Sequence, residues 1–336
     1  MKTKTKSKTK PTILTASSLA CLFGCARKYY LSYIEGWRRV RADEALRLGS
    51  GFHKGLEARA NGMTYPLAMR EVMQEVGNES VDAIMAGTIS ALLGGYYVRY
   101  ATDKDVMTVE PEREFAVKFP FLRGVVLCGK MDGVVTFADG RVGIIEHKTT
   151  SQDIGVDADY WQYINRDQIA LYKAAMERDG KRVDTIIYDV VRKPMIRPFK
   201  ATPPEKRKYT KDGKLYANCH DADETADSWT ERVSKEIAEK MDAYYARKEI
   251  PLLSSDMDKL ARRLYAAVKL IKCYQSIEKS MIDSGAEAVE AWPKCGNQMV
   301  CKNCPFRGVC DTAEMPEGEW ERGRAHEELE IVKEYK

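Results

Sequence analysis

A glutamate and a lysine stand two residues apart at the end of the apolar stretch VGIIEHKTT. Alternate side chains of a β-strand point to opposite faces, so we expect Glu146 and Lys148 to share one face and His147 to point to the other. Taken alone, such a pair is typical of a surface salt bridge, which is common and weak. A second carboxylate beside the pair would instead indicate a site that binds a metal ion and a phosphate.

The preceding segment, VVLCGKMDGVVTF, supplies that carboxylate. Its alternating pattern predicts a strand, and the ADGR that comes next predicts a hairpin between the two strands. A loop of three residues would place Asp132 opposite Glu146, whereas a loop of two would place it opposite His147, on the wrong face. Gly140 provides the left-handed residue that a three-residue hairpin requires. The chemistry therefore predicts the longer loop.

Two carboxylates and a lysine at neighbouring positions form the set of groups that metal-assisted hydrolysis of a phosphodiester requires. Oxygen ligands suit Mg²⁺ or Mn²⁺. Such an ion polarises the phosphoryl oxygen and activates a bound water, while the lysine orients that water or offsets charge in the transition state. We therefore expect Asp132, Glu146 and Lys148 to be catalytic, with both carboxylates as metal ligands.

The pattern GKMDG followed by Glu-x-Lys resembles the PD-(D/E)xK nuclease superfamily. The surrounding sequence resembles its RecB-like branch, which includes AddB nucleases and CRISPR-associated iron–sulfur exonucleases. Met131 stands where the superfamily name has proline, a departure that this branch often shows. The resemblance implies a restriction-endonuclease-like α/β fold, with a mixed central β-sheet flanked by helices and with helical elaborations.

Two further segments resemble motifs of this branch. LGSGFHKGLE resembles its glycine–histidine helix, which implies that His53 is an additional metal ligand. DQIALYKAAM resembles its Gln-x3-Tyr motif, which implies that Gln168 and Tyr172, four residues apart on one helical face, belong to the active site. Glu114 could act as a helper carboxylate, although a solvent-facing strand glutamate is the simpler interpretation.

Nine cysteines, an odd number, argue against a secreted disulfide framework and favour an intracellular protein, in the host cytoplasm if it is phage-encoded. CKNCPFRGVC holds Cys301, Cys304 and Cys310, whose spacing requires a fourth ligand for a metal or cluster. Cys25, in a segment that resembles the branch's first cysteine motif, implies a [4Fe-4S] cluster that joins the N- and C-terminal segments. Cys295 instead would complete a local Zn²⁺ site, or could replace Cys301 within a cluster.

The segment from Arg192 to Lys214 contains nine basic residues, two acidic residues and four prolines. It is either a solvated flexible loop or a clamp for nucleic acid. In the clamp, Lys206, Arg207 and Lys208 would contact phosphates, and Tyr209 or Phe199 would stack on a base.

With 336 residues, 44% hydrophobic and 31% charged, the chain suits one large domain with helical additions. The pattern predicts strands over 108–119, 124–137 and 141–148, a helix over 159–179, a parallel strand over 183–191, and helices over 223–248 and 256–284. The predicted organisation is a disordered Lys-rich tail (1–12), a helical part (13–105), a nuclease core (106–192), a basic loop (193–222) and C-terminal helices with the cysteine cluster (223–336).

These features together predict a metal-dependent deoxyribonuclease, an exonuclease on single-stranded DNA or duplex ends, in recombination, repair or phage DNA metabolism. The sequence contains no Gly-x4-Gly-Lys-Ser/Thr motif, so unwinding would need a helicase or recombinase partner. The apolar run AIMAGTISALLGGYYV is shorter than a membrane span and predicts a buried helix, with no membrane role. The alternative is a non-catalytic nucleic-acid-binding or scaffold subunit with a nuclease fold and a structural zinc site. The sequence leaves the oligomeric state open.

Overall fold

The computed structural model describes residues 11–41, 43–76, 83–102, 106–323, 326 and 329–335. Residues 1–10 of the expected Lys-rich tail lie outside the described residues. The α-helices are α1 (Ala16–Gly24), α2 (Ala26–Tyr29), α3 (Glu44–Ala60), α4 (Tyr65–Val76), α5 (Ala83–Arg99), α6 (Arg166–Arg178), α7 (Ala226–Glu239), α8 (Met241–Tyr244), α9 (Ser254–Asp283) and α10 (Gln298–Lys302). The strands are β1 (Thr12–Leu14), β2 (Trp37–Arg39), β3 (Val106–Val117), β4 (Val125–Phe137), β5 (Val142–Thr150), β6 (Thr185–Arg192), β7 (Tyr245–Glu249) and β8 (Trp320–Arg322). Short 3-10 helices cover Asp159–Tyr163, Pro204–Lys206, Ala288–Ala291 and Glu330–Tyr335, and a π-helical turn covers Tyr30–Ile34.

Six strands form a mixed central sheet. β3, β4 and β5 form an antiparallel meander, β6 joins β5 in parallel, and β7 pairs antiparallel with β6. β1 runs parallel to the first residues of β4. Because parallel neighbours need a long crossover, α6 carries the chain from the end of β5 back to the start of β6. The predicted meander and parallel strand are confirmed.

The hairpin between β4 and β5 has the register that the chemistry predicted. The backbone N–H of Phe137 donates to the Arg141 carbonyl across a loop of three residues, at 2.9 Å. Gly140 adopts φ of 84°, the left-handed conformation that such a loop requires. Further along the ladder, Val134 pairs with Ile144 and Gly133 with Ile145. The paired residues of the ladder end there, and the same register continued by one residue places Asp132 opposite Glu146.

Helices cover both faces of the sheet. α1, α6 and α9 pack on one face in a core that includes Val190, while α3, α5 and α7 form a second core that includes Val191. Since successive residues of a strand point to opposite faces, these two cores lie on opposite sides of β6. The helix predicted from AIMAGTISALLGGYYV is α5, which contributes six buried side chains to the second core. In the part of the chain that the structure describes, no helix has the length and apolarity to cross a membrane.

The expected helix over 223–248 is wrong at its end, where Tyr245–Glu249 forms the edge strand β7. Long-range packing determines the conformation of these last residues. The hydroxyl of Tyr245 donates to the Leu92 carbonyl of α5 at 2.7 Å. Gly95 makes room for this ring, because a Cβ at that position would lie 2.3 Å from the Tyr245 hydroxyl.

Candidate active site

Paired strands bring the two predicted carboxylates to one place on the sheet. Asp132 of β4 lies across from Glu146 of β5, and its Oδ2 accepts a hydrogen bond from the His147 backbone N–H at 2.7 Å. The Lys148 ammonium contacts Glu146 Oε1 from two residues further along the same strand face. The structure therefore brings Asp132, Glu146 and Lys148 together.

His53 approaches from α3. Its Nδ1 lies 3.4 Å from Asp132 Oδ1, so one carboxylate oxygen faces the imidazole and the other is held by the strand backbone. A close contact between α3 and α5 supports this position, because a Cβ on Gly55 would lie 2.7 Å from the Leu93 side chain. The glycine–histidine helix thus delivers His53 to the same carboxylate pair.

Gln168 and Tyr172 connect α6 to the strands through hydrogen bonds. Gln168 Nε2 donates to Glu146 Oε1 at 2.6 Å and to the Tyr172 hydroxyl at 2.9 Å. Tyr172 in turn donates to the Lys130 carbonyl of β4 at 2.9 Å. Asn165 caps α6 by accepting from the Gln168 backbone N–H. Gln168 therefore orients Glu146, and Tyr172 ties the helix to β4.

The two carboxyl groups differ sharply in protonation. Burial, followed by the negative charge of Asp132, raises the pKa of Glu146 to about 7. Burial also opposes ionisation of Asp132, but the hydrogen bond and charge of His53 outweigh it and lower the pKa of Asp132 to about 2. For Lys148, the neighbouring carboxylates outweigh burial and raise its pKa. The site thus holds one firmly ionised carboxylate and one that is costly to ionise.

Glu146 Oε2 is the atom that indicates a cation site. It is buried and has no hydrogen-bond partner among the residues that the structure describes, and such a carboxylate oxygen is expensive to leave unpaired. Two carboxylates and an imidazole form a donor set that suits Mg²⁺ or Mn²⁺. Within the described ranges, however, no group of three or more His, Cys, Asp or Glu side chains is already arranged as a metal site. The types of these side chains suit a divalent cation, and the side chains would have to move to coordinate it.

A buried charged network behind the site was not anticipated from the sequence. Asp189 of β6 accepts from His147 Nδ1 at 2.8 Å, from the Tyr96 hydroxyl at 2.5 Å and from Arg247 Nε at 2.9 Å. The Arg247 guanidinium also lies 3.6 Å from the centre of the Tyr100 ring. The feature of the sequence that could have indicated this network is the single aspartate in the apolar strand TIIYDVVR. A buried carboxylate requires charged or hydrogen-bonding partners.

The cysteines of both ends of the chain lie together. Cys295 Sγ is 3.7 Å from Cys301 Sγ, and Cys295 also contacts Cys25. The hydrogen bond with Cys295, followed by burial and the nearby thiols of Cys25 and Cys304, raises the pKa of Cys301. Burial, with the same two thiols nearby, raises the pKa of Cys310.

Arg27 connects the segment that contains Cys25 to the segment that contains the other four cysteines. Its Nε donates to the Trp292 carbonyl at 2.8 Å and its Nη1 to the Cys310 carbonyl at 3.1 Å. The described residues therefore assemble five cysteines, although not in the arrangement of a formed metal site.

The basic loop divides into structural and exposed cations. Arg207 donates to the carbonyls of Thr202 and Asp221, so it holds the loop together. Phe199 stacks on His220 at 4.2 Å and lies under Arg232 at 4.0 Å, which leaves little of its ring for a base. Lys206, Lys208 and Tyr209 are exposed, as is Tyr216, which the sequence pattern did not single out.

Glu114 lies away from the carboxylate pair and has another role. Its two oxygens accept from the backbone N–H groups of Glu330 and Ile331, at 3.1 and 2.9 Å. These are the first residues of the last 3-10 helix, so Glu114 caps that helix. This contact accounts for the carboxylate without a part in the active site.

Comparison with known proteins agrees with this arrangement. A family model for the PD-(D/E)XK nuclease superfamily matches residues 13–311. Among solved structures, the crystal structure of SSO0001 covers 87% of this chain and 94% of its own, with 14% identity and a TM-score of 0.31, too distant to add to the assignment. No curated protein matches the chain. The family match spans most of the sequence and includes both strands of the carboxylate hairpin, so the chain belongs to the PD-(D/E)XK nuclease superfamily, whose members generally depend on Mg²⁺ or Mn²⁺.

Proposed function

We propose that this protein is a metal-dependent DNA nuclease whose active site is formed by Asp132, Glu146 and Lys148. The observation that carries the proposal is the pair of opposed carboxylates, one of which has a buried oxygen without a partner in the described structure. Carboxylates placed in this way repel each other unless a cation lies between them. A phosphodiester is the substrate that such a cation and an adjacent lysine would suit.

Asp132, Glu146 and His53 would hold the ion, which when bound polarises the phosphate and activates a water molecule. Lys148, whose ammonium charge is reinforced by the neighbouring carboxylates that raise its pKa, would offset the negative charge that develops on the phosphate. Gln168 keeps Glu146 in position through Oε1, leaving Oε2 available. Tyr172 fixes the helix that carries Gln168.

The proposed substrate is DNA, attacked from the end of a single strand or a duplex. The resemblance to the RecB-like branch supports this, and so does the exposed basic loop with Lys206, Lys208 and Tyr209. The corresponding process is recombination, repair or phage DNA metabolism inside the cell, with a helicase or recombinase supplying any unwinding.

The cysteines are proposed to bind a [4Fe-4S] cluster through Cys25, Cys301, Cys304 and Cys310. The contact between Cys25 and Cys295 supports a site shared by both ends of the chain. Protein purified without air should then be brown with about four irons per chain, and Cys25→Ser should lose the colour. Colourless protein that holds Zn²⁺ and loses it in Cys295→Ser, but not in Cys25→Ser, would replace the cluster by a local zinc site.

The activity is tested with end-labelled single-stranded and duplex DNA, in Mg²⁺ or Mn²⁺ and in chelator. Asp132→Asn and Glu146→Gln should each abolish cleavage while DNA binding persists, because affinity comes mainly from phosphate contacts elsewhere. The matched control is Asp139→Asn, the same change in the exposed loop of the same hairpin, which should cleave as the wild type does. Cleavage by Glu146→Gln at the wild-type rate would refute the site.

A further inference from the structure

A basic groove lies between the start of α6 and the first turns of α9. It has a volume of about 560 Å³ and is lined by residues 164–167 and by side chains of α9. Four of its lining residues are cations, Arg166, Lys259, Arg262 and Arg263, against two carboxylates. The groove therefore carries a positive charge and opens to solvent.

This groove shares a wall with the active site. Asn165 lines it, and three residues later, about 4.5 Å along the helix axis, Gln168 contacts Glu146. The backbone of Asn165 also hydrogen bonds the phenol of Tyr188, the residue that pairs with Glu146 across β5 and β6. A single strand that leaves the site along α6 would enter the groove within a few nucleotides, since less than one helical turn separates Asn165 from Gln168.

The cations of the groove are not equivalent. Arg166 bonds Asp256 at 3.2 Å and Arg263 bonds Asp167 at 3.0 Å, so these two are partly committed to holding the groove's shape. The Lys259 side chain is 64% exposed, and its ammonium lies 3.7 Å from the Asp256 carboxylate, a longer and weaker ion pair. Arg262 is exposed and makes no ion pair with any residue that the structure describes.

An exposed aromatic residue comes directly before the lining residues in the chain. Tyr163 precedes the lining residue Ile164 and is 79% exposed. Aromatic rings beside a cationic groove are the means by which proteins hold single strands, through base stacking and phosphate contacts together.

We infer that the basic groove binds the phosphates of the DNA strand next to the bond that is cut, through Lys259 and Arg262, with Tyr163 stacking on an adjacent base. This subsite rests on the proposed nuclease function. It is separate from the loop that contains Lys206 and Lys208, and it would hold the strand immediately beside the carboxylates. An acidic protein partner is the competing occupant, and it would leave DNA binding unaffected by these residues.

The test measures binding of a fluorescent single-stranded oligonucleotide in chelator over a range of salt concentrations. Two phosphate contacts on a single strand contribute about 1.4 units to the slope of log affinity against log salt. The double variant Lys259→Gln with Arg262→Gln should lose about that much slope. Its control is Lys272→Gln with Lys279→Gln, two exposed lysines on the same helix, about 15 and 25 Å beyond Arg262 along the axis.

Cleavage assays separate this inference from the function on which it rests. If the wild type cuts DNA and the groove variant keeps the wild-type slope, the groove inference is overturned and the nuclease stands. If the wild type fails to cut but only the groove variant loses slope, the nuclease proposal fails and the groove remains a DNA-binding surface. If the groove variant and the control lose the same amount of slope, the loss reflects only the change in net charge, and the subsite is overturned. Circular dichroism confirms that each exposed-site variant is folded.

Discussion

Replacing Asp189 by asparagine should destabilise the protein by about 3 to 5 kcal/mol, the usual cost of removing one partner of a buried ion pair. Asp189 is 1% exposed and accepts from three donors, one of them the Arg247 guanidinium. Asparagine has the same shape, but its amide nitrogen cannot accept from His147 or Tyr96. The variant would leave the largely buried Arg247 guanidinium without its counter-charge.

The pKa of Asp189 gives a second estimate of this contribution. Burial opposes its ionisation, but Arg247, then His147 and Tyr96, lower the pKa from 3.8 to about 2. A shift of that size corresponds to about 2 kcal/mol. A carboxyl group whose pKa is lower in the folded state stabilises the fold above its unfolded pKa and loses that contribution as the pH falls. The wild type should therefore lose about 2 kcal/mol more than Asp189→Asn between pH 4 and pH 2.

Urea denaturation at pH 7, with the midpoint and slope fitted separately, measures the loss. The control is Asp153→Asn, which makes the same change in an exposed carboxylate that pairs with Arg192 and should cost at most about 1 kcal/mol. A second variant, Asp189→Asn with Arg247→Met, should recover part of the loss because no buried charge is left unpaired. A loss below about 1 kcal/mol in Asp189→Asn, or a double variant less stable than the single one, would refute this account of the network.

Three further outcomes test the site and its surroundings. Gln168→Ala should lower kcat about 10- to 100-fold with little change in DNA affinity, because it removes only the support of a metal ligand, and single-turnover cleavage measures this. Neutralising Lys206 and Lys208 together should reduce the salt slope on single strands by about 1.4 units, and an unchanged slope would make the loop a solvated one. Without metal, Glu146→Gln should be about 2 to 3 kcal/mol more stable than the wild type at pH 8 but not at pH 5. The wild-type Glu146 carboxyl has a pKa of about 7, so the folded protein bears the cost of ionising it only at the higher pH. Urea midpoints at both values decide it.

The hairpin could be predicted because its constraints are local. The side-chain period of a strand and the conformation of Gly140 leave two registers, and only one of them brings Asp132 beside Glu146. β1 and β7 could not be predicted in this way. Each is short, and the backbone of Tyr245–Glu249 is extended because β6 and α5 lie beside it. Such tertiary contacts override local propensity.

The candidate site could be predicted where the types of the residues alone indicate the chemistry. It could not be predicted where the contacts of the folded chain decide what a residue does. His53 and Gln168 lie outside the strands in sequence, and they became candidates through motifs rather than through any physical rule that connects them to Asp132. Glu114 and Arg207 have residue types that suit a functional role, but the structure assigns both to backbone contacts. A charged side chain identifies a candidate, and its hydrogen bonds determine what remains for a substrate.

The two faces of β5 explain why a buried strand ends in charged residues. On one face, His147 is joined to Asp189, whose oxygens are fully paired in a network that reaches α5 and β7. On the other face, Glu146 has an oxygen that no described residue pairs, and its ionisation is costly. The His147 backbone connects the faces, since its N–H holds Asp132 while its ring is anchored below. The fully paired network can therefore keep β4 and β5 in register while the carboxylates remain available to a cation. One face of β5 stabilises the fold, and the other carries a carboxyl group whose ionisation is costly.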